Sequence, residues 1–186
     1  MEWFFAALGV LVVIAIVWAI AQYNAMVKLR NLVEESWRQI DVELQRRHDL
    51  IPNLVETVKG YAAHERATLE EVTLARDTAA APGANRVEQA RQENVLTEAL
   101  GRLFAVAEAY PDLKANQNFL HLQHELTNTE DRLAAGRRFY NANVRALNTK
   151  VETFPSNLVA STMNIGREDY FEVVDPGARQ APTVSF

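Results

Sequence analysis

Four histidines (His48, His64, His121 and His124) stand in a chain rich in glutamate and free of cysteine, so metal chemistry is the first reading to test. A di-metal carboxylate centre in a helical bundle takes Glu-x-x-His from two helices and a glutamate from each of two others. Three positions before the histidines stand Gln45, Tyr61, Asn118 and His121, so that pair never occurs. His64-Glu65 and His124-Glu125 each open the His-Glu-x-x-His pattern of zinc proteases, but Thr68 and Asn128 occupy the second histidine position. His121 and His124 share a helix face and amount to a weak ligand pair, with a solvated or hydrogen-bonded pair as the simpler reading. No glycine-rich phosphate loop or Gly-x-Ser-x-Gly elbow is present, and without cysteine there is no thiolate nucleophile or disulfide. The expectation is a protein with no catalytic residues, no metal site and no cofactor; an enzyme reading would need a group that these spacings do not reveal.

Charge enters differently, by interrupting apolar seams. Arg46-Arg47-His48-Asp49 directly precedes Leu50-Ile51-Pro52, His64-Glu65 falls where an apolar residue is due, and Glu125, Glu130 and Arg137-Arg138 run along a later stripe. Interhelical salt bridges that fix register are the expected use of these charges. The functional alternative is a recognition surface for a partner protein or for lipid headgroups. Arg46-Arg47 lie roughly 37 Å past Ala21 on an upright helix, too far for headgroup contact. The net charge of −5, without a large single-sign block, excludes a nucleic-acid surface.

The elements that must position these charges are helices. Between Lys28 and Ala80 the apolar positions Val33, Trp37, Ile40, Leu44, Ile51, Val55, Val58, Ala62, Leu69 and Val72 step by three and four, heptad-like. The stripe keeps its phase across Pro52, which predicts one long helix kinked there rather than a hairpin. A break at Pro52, with Asn53 and Glu56 capping a restarted helix, is the alternative. Ala81-Pro82-Gly83-Ala84-Asn85 reads as a turn, and Asn85 as the cap of a helix carrying Leu96, Leu100, Leu103 and Ala107. Pro111-Asp112 restarts the chain, and a stripe about ten turns long runs from Phe119 to Phe154 before Pro155 ends it. Ser156 can cap a short apolar segment through Ile165. The expected fold is all-α: an antiparallel three- to four-helix bundle of long coiled-coil-like helices over 23–165, with a flexible tail at 166–186. Self-association through the same seams is the competing arrangement.

Residues 1–22 stand apart. Trp3 to Ala21 carry no charge or strongly polar group, and a helix of that length covers roughly 28 Å, near the thickness of a bilayer core. Trp3, Trp18 and Tyr23 lie near the two edges, where amphipathic rings favour headgroups. A cleaved signal peptide is the rival, and Ala19-Ile20-Ala21 satisfies a small-x-small site; against it, no lysine or arginine precedes the run. The expectation is a membrane anchor contacting lipid through residues 3–21. Lys28, Arg30 and Arg38 follow the span while only the amino terminus precedes it, which favours a cytoplasmic bundle and a short tail outside.

Laid out in this way, the chain resembles the LemA family. The resemblance is carried by Tyr23-Asn24, IDVELQRRHDLIPNLVETVKGYAAHE from Ile40 to Glu65, Ala75-Arg76, EAYPDLKANQNFLHLQHELTNTEDRLAAGRRFYN from Glu108 to Asn141, Phe154-Pro155-Ser156-Asn157 and Phe171-Glu172. It implies a bacterial plasma-membrane protein with one N-terminal span, a tiny external tail, a cytoplasmic helical bundle and a part in organising membranes or membrane complexes. It supplies no catalytic residues, and Arg47, Asp49, Pro52, Asn53, Glu65, Tyr110, Pro111, Asp112, Glu125, Glu130, Arg137 and Asn141 are carried over as structural positions. The functional expectation is a membrane-anchored scaffold for protein partners or for copies of itself, with self-assembling membrane remodelling as the alternative.

Overall fold

The structure, a computed structural model, describes residues 1–172, and every regular element among them is helical. The order is α1 (Glu2–Lys59), α2 (Arg66–Ala79), α3 (Arg86–Ala107), α4 (Pro111–Lys114), α5 (Gln117–Glu152) and α6 (Ser156–Thr162). Two compact units result, one from Met1–Ile40 with Gly136–Tyr170, the other from Asp41–Ala135 with residues 171–172. Each of the two longest helices contributes one part to each unit.

The second unit is a four-helix arrangement running up, down, up and down. Its directions follow from the side chains that meet: residue 48 meets 76, 71 meets 102, 47 meets 93, and 46 meets 125. Connections 60–65, 80–85 and 108–116 are short, as antiparallel neighbours require. The core holds Ile51, Leu54, Val58, Val72, Leu96, Leu103 and Phe119, all at most 3% exposed.

The first chain reversal lies elsewhere than the apolar stripe predicts. Helix α1 continues through Pro52 and ends at Lys59, seven residues later. The stripe stays in phase from Val58 to Leu69 although the chain turns back between them, because Ala62 inserts into the core at the bend. The single kinked helix expected to Ala80 is therefore two helices. Proline costs the helix one hydrogen bond, the one Pro52 would donate to the carbonyl of His48. That carbonyl accepts from Arg76 Nε of α2 at 3.1 Å, so the defect is repaired from a neighbouring helix.

The other turns follow local chemistry. Gly83 takes φ +98°, a conformation that favours glycine, and Asn85 Oδ1 accepts the backbone N–H of Glu88 at 2.8 Å. Asn116 does the same for Phe119 at the start of α5. Ser156, expected as a cap, instead donates back to the carbonyls of Lys150 and Thr153, and Pro155 holds the cap position of α6.

In the first unit, α1 and α5 pair antiparallel from Gly136 beside Ile40 to Lys150 beside Gln22. Tyr140 is fully buried against Trp37, the rings 5.6 Å apart and edge-on. A Cβ at Gly136 would sit 3.2 Å from Ile40 Cγ1, so the helices approach closely there. Gly136→Ala is expected to be near neutral, since better helix propensity offsets the tight contact. Gly136→Val is expected to cost about 1–2 kcal/mol, read from thermal melts of the two variants.

Within 166–172, assigned by composition to the flexible tail, Glu168 and Asp169 are tied to α5. Asn148 exchanges two hydrogen bonds of 2.9 Å with the Glu168 backbone, and Tyr140 Oη donates to the Asp169 carbonyl at 2.8 Å. The rest of that expected tail, 173–186, lies outside the described residues. Asn148→Ala is expected to speed hydrogen exchange at the Glu168 amide markedly while leaving α5 amides protected.

The N-terminal part of α1 is apolar on every face and almost uncovered: Trp3 is 90% exposed and Leu11 64%, and Met26 is the first core residue. It is long and apolar enough to cross a membrane. Burying one Leu, Ile or Val is worth about 1.5–3 kcal/mol, which an uncovered helix forfeits in water and recovers in lipid.

Candidate functional site

The charges that interrupt the seams converge inside the second unit. Arg47 and His48 occupy consecutive inward positions on α1 because the helix turns both toward α3 just before Pro52. Glu93 projects from α3 into the same space and is 1% exposed. Its position is set by periodicity, three residues before Leu96 and three after Ala90, both buried.

Glu93 receives Arg47 Nη1 at 2.8 Å on Oε2 and His48 Nε2 at 2.8 Å on Oε1; Gln89 Nε2 adds a third donor at 3.2 Å. Because the carboxylate only accepts, His48 Nε2 carries the hydrogen. Arg47 Nη2 reaches Thr97 Oγ1 at 2.8 Å and Glu130 of α5 at 2.6 Å. One guanidinium thus ties three helices together, and Arg76 adds α2 through the His48 carbonyl. Buried charge survives here because each ion is paired and also hydrogen-bonded.

A looser outer ring surrounds this cluster. Arg46 pairs with Glu125, Arg132 with Glu43, and Arg102 with Glu71. The Arg46 hydrogen bond holds the Glu125 carboxyl below its ordinary value, with Arg46, His121 and His124 adding charge attraction against a desolvation cost. Glu125 is therefore worth most to the fold above the ordinary carboxylate range, and that contribution is lost as pH falls through its lowered value. The stability gap between wild type and Arg46→Leu is expected to be constant near neutrality and to close in acid, measured by thermal melts across pH. At the turn after α1, Tyr110 Oη donates to Glu65 at 3.1 Å, which raises the phenol, and Asn116 Nδ2 donates to Tyr61 Oη at 2.9 Å.

Of the residues singled out in the sequence, Arg47, His48 and Glu130 meet in the cluster, Arg46 and Glu125 pair beside it, and Glu65 and Tyr110 pair at the turn after α1. Asp49 accepts from Gln45 on the exposed face, while His64, His121 and His124 are exposed and lie apart from the cluster. Pro111 and Asp112 form the first turn of α4. Arg137, Arg138 and Asn141 belong to the first unit. Among the described residues no three metal-ligating side chains gather. Glu93 was absent from the sequence-based candidates, although stepping back by three from Leu96 would have found it.

This arrangement can fix which helices neighbour one another; it presents no nucleophile beside a base. The chain is 27% identical over 195 residues to magnetosome protein MamQ 2 of Paramagnetospirillum magneticum, covering 89% of this chain and 72% of that protein. It is 25% identical over 191 residues to magnetosome protein MamQ of Magnetospirillum gryphiswaldense, covering 89% and 70%. It is 25% identical over 146 residues to protein LemA of Metamycoplasma hominis, covering 78% and 67%. The LemA family pattern itself matches residues 36–186, which takes in Arg47, Glu93 and Glu130, and so the chain belongs to the LemA family.

Proposed function

We propose that this protein is a single-pass scaffold of the bacterial plasma membrane: residues 3–21 cross the bilayer, the short N-terminus lies outside, and the helical units gather protein partners at the cytoplasmic face. The carrying observation is the uncovered apolar start of α1, continuous with a helix that also builds both packed units. A charge cluster made of ion pairs suits a scaffold, which needs fixed surfaces rather than reacting groups, and on this reading the protein has no enzymatic activity. Lys28, Arg30 and Arg38 beyond the span support the orientation. Crosslinking of full-length protein in intact cells, followed by mass spectrometry, should return a reproducible set of partners. Recovery of uncrosslinked monomer alone would sink the scaffold. A reporter that fluoresces only in the cytoplasm, fused after Phe186, should light up.

A second reading, self-assembly that shapes membrane, draws support from the likeness to proteins named for the magnetosome. Rings or arrays of full-length protein in electron micrographs would favour it over the scaffold.

A further inference from the structure

We propose that the excursion of the chain from Asn148 to Glu168, built around α6, lies on the bilayer surface and gives the first unit a second, peripheral hold on the membrane. The proposal rests on the reading of residues 3–21 as a span. Lys150 Nζ donates to Gln22 Oε1 at 2.7 Å, so the last turn of α5 is level with the first residue after the apolar run. The chain leaves α5 there and returns to it at Asn148, where Glu168 is held by two hydrogen bonds. Helix α6 therefore sits at the membrane-facing end of the α1–α5 pair.

Part of its apolar surface is left uncovered. It buries Ser156, Val159 and Ala160, and leaves Leu158 57% exposed, with Phe154 74% and Met163 53% exposed on either side. Helix α1 begins to lose exposure at Trp18 and Ala19, about one turn before Gln22. Basic groups lie near this level: Lys28 and Arg30 are about 9–12 Å along α1 from Gln22, on different faces, and α1 side chains tilt toward its N-terminus and so toward anionic headgroups. A lipid surface, rather than a protein, fits this face because it continues the span and because apolar side chains backed by cations match the headgroup boundary.

The chain has no cysteine, so Leu158→Cys accepts a single environment-sensitive fluorophore. Full-length protein is reconstituted into phosphatidylcholine–phosphatidylglycerol vesicles with lipids brominated near the headgroup or deep in the chain. Labels at Ile14→Cys and Arg38→Cys serve as references. The Leu158 label is expected to shift to the blue and to lose intensity to shallow bromines, with Ile14 quenched by deep bromines and Arg38 by neither. Quenching at Ile14 with none at Leu158 overturns the proposal and leaves the span intact. A blue shift at Leu158 without quenching means that a second copy covers the face, which also overturns it. No quenching at Ile14 removes the span and the proposal together.

Discussion

Replacing Glu93 with alanine is expected to destabilise the second unit by about 3–5 kcal/mol, the usual cost of stranding a buried charge. Arg47 is 3% exposed and would keep only Thr97 and Glu130, while His48 would lose its acceptor altogether. For a chain of this size the shift in Tm is on the order of 10 °C. The triple variant Arg47→Met, His48→Leu, Glu93→Leu removes all three partnered side chains together and is expected to lie within about 2 kcal/mol of wild type, on either side. That contrast defines what the cluster does. A costly single substitution with a tolerated triple one assigns it to helix pairing and register. Thermal melts of the three proteins decide the matter, and a Glu93→Ala variant melting with wild type would show that water reaches the cluster.

Loss of Arg76 is expected to be nearly as damaging. Arg76→Leu withdraws a charged donor from the His48 carbonyl, at roughly 2–3 kcal/mol for such a bond. The carbonyl needs that donor only because position 52 is proline. Pro52→Ala returns a backbone N–H four residues on, so the Arg76→Leu penalty should shrink in that background. A double-mutant cycle reads the coupling directly, expected at about 1–2 kcal/mol. Strict additivity would mean that the carbonyl finds no second partner from the restored helix and would sink the explanation. The same cycle addresses why α1 tolerates proline without breaking: the defect faces a neighbouring helix that carries the missing donor.

The fluorophore experiment and these two variants probe separate links. Glu93 and Arg76 test how the second unit is assembled; Leu158 tests what the first unit rests upon.

Much of the fold was legible in the residues themselves. Three-and-four spacing set the helices, Gly83 and Asn85 fixed the turn before α3, and the ten-turn stripe became α5 with its end where Phe154-Pro155 lies. These features depend on a residue and its near neighbours, which is the range over which backbone sterics and capping act. The apolar run of residues 3–21 was equally plain, because transfer from water to lipid adds up along the segment whatever the rest of the chain does.

Other features were decided only in three dimensions. The reversal at Gly60–Glu65 hid behind an unbroken apolar phase, since Ala62 serves the core from the bend itself. The helix was expected to pass through Pro52, as it does, but what lets it do so is a donor 24 residues further along the chain. Residues 166–172 looked disordered because the segment from Gly166 onward is polar, yet Glu168 and Asp169 are held by Asn148 and Tyr140. The pairing of Arg47 and His48 with Glu93 likewise needed the meeting of α1 and α3. Local sequence determines which segments become helices and which segment prefers lipid, because those free energies are sums over neighbours. Which polar group satisfies which buried partner is set by helix packing, because a hydrogen bond requires two atoms to come within about 3 Å whatever their distance along the chain.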